Sequence, residues 1–455
     1  MTPLEYLYSD KEGNSIYIKR DDLIPFSFGG NKIRIANEFI DDLQLKQFDC
    51  MVGYGNARSN LSRAISNLCM SKGIKCHIIS PSDDDGSRID TYNSLLVKRC
   101  GVRFHECDKN NVSDTVEHVM QQCIEEGYNP YYIYGDKYGK GNESVPVTAY
   151  IKAYHEIQMQ LADINTRIDY IFLATGTGMT QSGLIAGKKI YCGNETIIGI
   201  SVARDKEKER NVIKSYLDSY ISKQTFTYND EDIIIDDSYL CGGYGKYDDT
   251  VEKTINTMYS KYGIPLDPTY SGKSFTGMID YISKHGIKGK NILFIHTGGT
   301  PLFFDFLKKQ KENANVEVCK DFGEITEFLN RIDSTLPTPL SQRIDISEYA
   351  LKIIERGNVL VVYDNAKIVA AVLFYANDSI NKKAYITLIA TDPTSENTGY
   401  GGSLLEVSEK SAKQAGMRYM TLETEFCNNR AIAFYTKRGY KVDFADQKLH
   451  MIKEL

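Results

Sequence analysis

Through the first two thirds of the chain, short apolar strands alternate with amphipathic helices. The turn from strand to helix is repeatedly rich in Gly, Asn or Ser. "SIYIKR" leads through "FSFGGNKIR" into a helix with Ile35, Phe39, Ile40 and Leu43 at helical spacing. "FDCMVGYG" runs into "SNLSRAISNLCMSKG" and then the strand "KCHIIS"; "SLLVKRC" and "VRFHEC" repeat the pattern. After a Gly/Tyr-rich excursion and a helix over about Val147 to Ala162, "DYIFLAT" enters "GTGMTQSG", and "TIIGISVAR" and "NILFIHTGG" supply two more buried strands. Strands separated by helices form parallel sheets with helices on both faces. At 455 residues the chain exceeds one ordinary core. Its character changes at the charged stretch "KKQKENANVEVCKDFGEI", beyond which "VLVVYDNAKIVAAVLFYAND" reads as antiparallel strands joined by a turn. Two domains are expected, 1–314 of α/β class and 315–455 with a largely antiparallel sheet.

Composition removes several functions. A net charge of −6 without a basic block offers nothing to a nucleic-acid backbone. No apolar run is long enough to span a bilayer, and "MTPLEYLYSDKEGN" lacks the basic-then-apolar pattern of a secretory leader, so a cytoplasmic location is expected. The ten cysteines and seven histidines are scattered, with no CxxC pair and no Cys/His run at ligand spacing. They read as buried small side chains, and no metal is expected.

Two clues carry chemistry. Lys32 stands between the glycine pair Gly29–Gly30 and the start of a helix, where free N–H groups and a close backbone approach favour a small anion. Far along the sequence, "ATGTGMTQSGL" ends a strand in threonines and glycines and opens a helix, a nest suited to phosphate. It is neither a P-loop, lacking Gly-Lys-Ser/Thr, nor a dinucleotide fingerprint. A lysine outside the phosphate loop, paired with a separate nest, is what pyridoxal 5'-phosphate requires: the amine forms the Schiff base and the nest holds the phosphate.

With these, "KRDDLIPFSFGGNKIR", "ARSNLSRA", "IIGISVAR", "GGYGK", "GIPLDPTYSGKSFTGMIDYI" and "LFIHTGGTPLFF" resemble, in order, the D-cysteine desulfhydrase / 1-aminocyclopropane-1-carboxylate deaminase family. The resemblance implies the tryptophan-synthase-β-like fold of two open twisted α/β/α sheets, a small amino-acid substrate and a homodimer. It implies that Lys32 carries the cofactor and moves the substrate α-proton. Asn60 would meet the ring oxygen and Ser59 the substrate carboxylate; Tyr244 and Tyr270 would line the ring. Thr175, Gly176, Thr177, Gly178 and Thr180 would hold the phosphate, with Thr297 beside the ring. Deaminases resemble "YEGK" and carry leucine before the last glycine pair; Ser271 in "YSGK" and Thr297 in "HTGG" match the desulfhydrase branch. The family's usual His or Gln after "SN" is Leu61, and a frequent lysine three residues after the Schiff-base lysine is Ile35. Elimination from a D-configured amino acid is the expected reaction. β-Replacement or racemisation, followed by acetylation of the product, and a non-catalytic metabolite-sensing role remain open.

The last third, "YITLIATDPTSENTGYGGSLLEVSEKSAKQAGMRYMTLET" and "NNRAIAFYTKRGYKV", resembles GNAT N-acetyltransferases. That implies acetyl-CoA as acetyl donor. The pyrophosphate would lie on Gly399, Gly401 and Gly402 at a helix start, and pantetheine along Leu388 and Ile389. Asn428 would stand in the acetyl-CoA site, and Tyr435 would protonate the leaving thiolate. Glu396 replaces the usual Arg or Gln at the head of the loop.

Overall fold

The computed structural model describes the chain apart from residues 84–85, 222–225, 314–315, 365 and 396–398, and apart from the side chains of 310–313 and 394. It divides into two compact units, Met1–Phe306 and Leu307–Leu455. The boundary expected at 314 lies outside the described residues.

In chain order the first unit contains β1 (Leu4–Ser9), β2 (Ser15–Arg20), α1 (Asn31–Leu45), β3 (Cys50–Tyr54), α2 (Asn60–Lys72), β4 (Lys75–Pro81), α3 (Tyr92–Arg99), β5 (Arg103–Cys107), α4 (Val112–Glu125), β6 (Pro130–Tyr132) and α5 (Val145–Asp163). It continues with β7 (Tyr170–Thr175), α6 (Met179–Ile190), β8 (Thr196–Ser201), α7 (Lys206–Ile221), β9 (Ile234–Asp236), α8 (Asp249–Tyr262), α9 (Ser271–Lys284), β10 (Asn291–His296) and the start of α10 (Thr300–Asn313). Two sheets result. One has the order β5-β4-β3-β6 and is parallel throughout; the other runs β1-β2-β10-β7-β8-β9 and is parallel except for its antiparallel edge β1. Strand patterns explain this: β3, β4, β7, β8 and β10 are buried along nearly their whole length, as parallel strands covered on both faces must be. Local signals set the helix limits. Ser59 caps α2 through Ser62 N, Thr91 and Ser94 form a capping box on α3, and Gly73 and Gly263 end α2 and α8 in left-handed conformation.

Helix α1, which follows the glycine turn, is fastened by a buried ionic network. Arg34 pairs with Asp21 (3.0 Å) and Glu156 (2.9 Å), and Lys19 pairs with Glu156 (2.6 Å). Tyr150 on α5 donates to Asp21 (2.5 Å), so β2, α1 and α5 are held together two residues beyond Lys32.

The second unit contains β11 (Val316–Val318), α11 (Phe322–Ile332), α12 (Ile346–Arg356), β12 (Asn358–Asp364), β13 (Lys367–Asp378), β14 (Lys383–Thr391), α13 (Tyr400–Gln414), β15 (Tyr419–Thr424), α14 (Asn429–Thr436), β16 (Lys441–Ala445) and β17 (Leu449–Glu454). Its sheet runs β11-β12-β13-β14-β15-β17-β16 and is antiparallel except between β14 and β15. Leu360, Val362, Val372 and Phe374 pack on the side of α13, while Val359, Val361, Ala371 and Leu373 pack with α11 and α12. The strict alternation places helices on both faces.

Candidate active site

The glycine turn is built by close approach. Gly29 (φ 67°) and Gly30 (φ 105°) carry the chain between Asp22 and the end of β10; a Cβ on Gly29 would lie 2.0 Å from the Asp22 carbonyl oxygen. Gly30 N donates to Asp21 O (2.8 Å) and Asn31 N to Thr297 O (3.0 Å). This fixes Lys32 in the first turn of α1. Its Nζ lies 3.4 Å from Thr177 Oγ1. Burial pushes the amine down to about 8, with the Glu209 carboxylate pulling the other way.

Thr177 belongs to the turn between β7 and α6. Gly178 (φ 74°) caps α6 with no side-chain cap among the described residues, which leaves its first N–H groups open to a ligand. Asn31 Nδ2 donates to Thr180 Oγ1 (2.9 Å), tying the start of α1 to the start of α6. Thr175, expected to hold the phosphate, donates its hydroxyl to Glu209 Oε1 (2.7 Å). Glu209 is fully buried and pairs with Arg204 (3.2 Å), so no uncompensated negative charge stands behind the turn.

On the opposite wall Ser59 ends the β3–α2 turn and Asn60 begins α2. Asn60 Oδ1 accepts from Asn93 Nδ2 (3.0 Å) and, at 3.4 Å, from Arg63. Tyr244 and Tyr270 meet hydroxyl to hydroxyl, their rings 5.8 Å apart at 71°. Burial pushes Tyr244 up to about 12, against the hydrogen bond from Tyr270. Lys32, Ser59, Asn60, Thr175, Gly176, Thr177, Gly178, Thr180, Tyr244, Tyr270 and Thr297 all line one cavity of about 440 Å³. Leu61 lines it as well, whereas Ile35 is buried in the core.

Ser271 is placed differently from Thr297. It is fully buried and does not line the cavity; its Oγ donates to Asp267 Oδ2 (2.7 Å) and accepts from Asp267 N (2.7 Å). The same carboxylate accepts from the N–H groups of Thr269, Tyr270 and Ser271, and thereby closes the start of α9. Burial raises Asp267 in spite of these bonds. "DPTYS" contains this capping aspartate in plain view, and an Asp shortly before a helix was the signal that could have found it.

Arg63 of "ARSNLSRA" is another residue that sequence reasoning passed over. It is fully buried and donates to Asn93 Oδ1 (2.9 Å), Ser27 Oγ (2.9 Å) and Gly29 O (3.2 Å), joining α2 to the glycine turn. Arg58, Lys109, Arg204 and Lys246 add positive charge to the cavity lining, Arg58 being paired with Asp83 at 2.6 Å.

In the second unit β14 pairs with β15 from Lys383 to Ile386, then runs on to Thr391 alongside β13 alone among the described residues. Leu388 and Ile389 lie on that stretch, opposite Leu373 and Val372, and their side chains pack on opposite faces of the sheet. What they can offer together along the strand is backbone. Gly399 (φ 91°) caps α13 without a side-chain acceptor. A Cβ on Gly401 would touch the Phe434 ring at 3.7 Å; one on Gly402 would lie 2.7 Å from Arg438 Nη2. Asn428 uses its Oδ1 to cap α14 through Ala431 N (3.1 Å). Tyr435 is buried between Phe434 and Tyr440, ring centroids 5.1 and 5.4 Å away, and its hydroxyl has no hydrogen-bond partner among the described residues. Glu396 lies outside the described residues.

Residues 1–298 match the family described as pyridoxal-phosphate dependent enzyme. The chain belongs to that family. It is 31% identical over 319 residues to the putative 1-aminocyclopropane-1-carboxylate deaminase of Pyrococcus abyssi, covering 68% of this chain and 93% of the relative. It is 31% identical over 313 residues to the D-cysteine desulfhydrase of Salmonella choleraesuis, covering 67% and 93%. A solved structure of an ACC deaminase homologue superposes with a TM-score of 0.59 at 28% identity, covering 68% of this chain and 92% of that one. Residues 325–440 match the acetyltransferase (GNAT) family, so a GNAT domain follows the pyridoxal-phosphate domain.

The cavity suits the family's cofactor on its own terms. A phosphate finds open N–H groups at the start of α6 and the hydroxyls of Thr177 and Thr180, and an aldehyde finds the Lys32 amine beside them.

Proposed function

We propose that the first unit is a lyase that expels a β-substituent from a small, D-configured amino acid such as D-cysteine. Its products would be pyruvate, ammonia and the leaving group, sulfide in that case. The observation that carries this is the meeting of the Lys32 amine, the open start of α6 and the Ser59/Asn60 turn in one cavity. Lys32 would hold pyridoxal phosphate covalently, and the first N–H groups of α6 with Thr177 and Thr180 would hold its phosphate. Thr175 supports that turn from behind through Glu209. When bound, the cofactor supplies an electron sink for the carbanion left at Cα. Lys32 Nζ takes the α-proton, a role helped by an amine held near 8, where the neutral base is available close to physiological pH. Ser59 orients the substrate carboxylate from the positive end of α2, and Asn60, itself fixed by Asn93, addresses the ring oxygen. Tyr244 and Tyr270, hydrogen-bonded through their hydroxyls, exclude water from the ring face.

Thr297 and Ser271 favour elimination over cyclopropane opening. Neither supplies a carboxylate, and that of Asp267, hydrogen-bonded to Ser271, is committed to the α9 terminus. The second unit acts as an N-acetyltransferase that takes acetyl-CoA along the stretch of β14 beyond its pairing with β15 and at the start of α13. Tyr435 returns a proton to the departing thiolate. The protein works as a cytoplasmic homodimer.

The test uses the full chain loaded with pyridoxal phosphate. D-Cysteine should release sulfide and pyruvate faster than 1-aminocyclopropane-1-carboxylate releases 2-oxobutyrate, and Lys32→Ala should lose both turnover and the visible cofactor band. Equal rates on the two substrates would remove the preference. An unchanged band in Lys32→Ala would remove the assignment of the lysine.

A further inference from the structure

The four-stranded sheet holds a second group of chemistry-bearing residues, none of which lines the cavity. Cys50 opens β3, His77 lies in β4 and Cys123 in α4, which packs on this sheet. All three are fully buried. One ligand atom from each lies within 4.8 Å of the others. The two Sγ atoms are 3.8 Å apart. That separation is about 3.8 Å in a tetrahedral zinc site with Zn–S bonds of about 2.3 Å.

His77 supplies the independent observation. Its Nδ1 is 3.0 Å from His105 Nε2 on β5, while its Nε2 is buried with no hydrogen-bond partner among the described residues. An orphaned ring nitrogen in a protein interior costs free energy and calls for an explanation. A metal-bound imidazole has this form: one nitrogen on the metal, the other donating its N–H to an outer residue, here His105 Nε2.

We propose that Cys50, His77 and Cys123 form a buried zinc site with His105 as its outer support. Two thiolates and a neutral imidazole bring the charge of Zn²⁺ to zero, the balance an interior position requires. Zinc takes each cysteine as its thiolate, so binding releases the two thiol protons to solvent. Three protein ligands leave a fourth position to water.

The position says what the site does. Cys50 and Lys75 begin β3 and β4, and Tyr54 and Pro81 at the other ends line the catalytic cavity. The metal therefore joins α4 to the amino ends of the strands whose carboxyl ends build the cavity. It is a structural clasp, not part of the reaction.

The experiment uses the full chain carrying pyridoxal phosphate, freed of metal by a chelator and dialysed against buffered zinc. Wild type should retain one zinc per chain more than Cys50→Ala, Cys123→Ala or the double variant, with folding checked by far-ultraviolet circular dichroism. On wild type alone, cobalt(II) in place of zinc should give thiolate-to-metal charge-transfer absorption, and zinc should protect the Cys50 and Cys123 peptides from alkylation. Equal zinc in wild type and a folded Cys50→Ala, absence of the charge-transfer band, or a Cys50–Cys123 disulfide in the purified protein would each overturn the proposal.

Discussion

Replacing Glu156 by Gln should loosen the helix that carries Lys32. Glu156 on α5 receives Lys19 at 2.6 Å and Arg34 at 2.9 Å, and it also accepts from Thr2 N at 2.8 Å. Burial alone would raise this carboxyl, but the hydrogen bonds from Arg34, Lys19 and Thr2 overcome it and hold it down to about 2 from 4.5. At about 1.36 kcal/mol per unit, that depression corresponds to roughly 3 kcal/mol. Breaking a buried pair by removing one partner costs roughly 3–5 kcal/mol, an independent figure of the same size. Lys19 makes the loss steep: its side chain is 1% exposed, burial already lowers its pKa, and without Glu156 it keeps only Thr2 O and Gln160 Oε1. The assay is urea unfolding of the loaded protein followed by cofactor absorbance, which reports the first unit. A depressed carboxyl stabilises the fold above its unfolded pKa and stops doing so as pH falls through the folded value. The gap between wild type and Glu156→Gln should be full above about pH 4.5 and shrink toward pH 2. A variant within about 0.5 kcal/mol of wild type at neutral pH, the range of an ordinary surface change, would refute the reasoning.

Three other outcomes are expected. Ser59→Ala should raise KM for D-cysteine with the cofactor spectrum unchanged, and the lost α2 cap should cost about 1 kcal/mol in the same unfolding assay. Incorporation of pyridoxal phosphate into the metal-free apoprotein should accelerate with pH up to about 8 and then level, because the neutral Lys32 amine is the nucleophile; stopped-flow absorbance measures it. Tyr435→Phe should slow acetyl transfer by roughly 100-fold while leaving the calorimetric acetyl-CoA affinity of the full chain intact, whereas Gly401→Trp should abolish that affinity through collision with Phe434.

The sequence discloses what depends on local chemistry. Gly29 and Gly30 are needed because a side chain would strike Asp22 and Thr297, and glycine at a strand-to-helix turn announces such a demand directly. Periodicity likewise exposes the α1 face of Ile35, Phe39, Ile40 and Leu43, all buried. What stayed hidden depends on partners distant along the chain. Nothing around Thr175 announces that Glu209 will claim its hydroxyl, and nothing in "LSRA" shows that Arg63 will reach Ser27 and Gly29. Ser271 was legible as a small hydroxyl but not as the partner of Asp267. Cys50, His77 and Cys123 each look like an ordinary core residue; only pairing of β3 with β4, and packing of α4 across them, makes them a group.

The parallel sheets also explain why a chain of net charge −6 builds a cavity for anions. Parallel strands deliver every following helix to the same end of the sheet, so the helix N-termini gather at the carboxyl edge. Here the starts of α1 (Asn31, Lys32), α2 (Asn60, Leu61) and α6 (Gly178, Thr180) all line the cavity, as does Tyr270, the residue before α9. Each terminus acts as roughly half a positive charge. The same field that attracts a phosphate and a substrate carboxylate disfavours an ammonium, acting in the same direction as the burial that lowers Lys32. A cavity that attracts anions and a lysine that resists protonation are therefore two expected consequences of one topology.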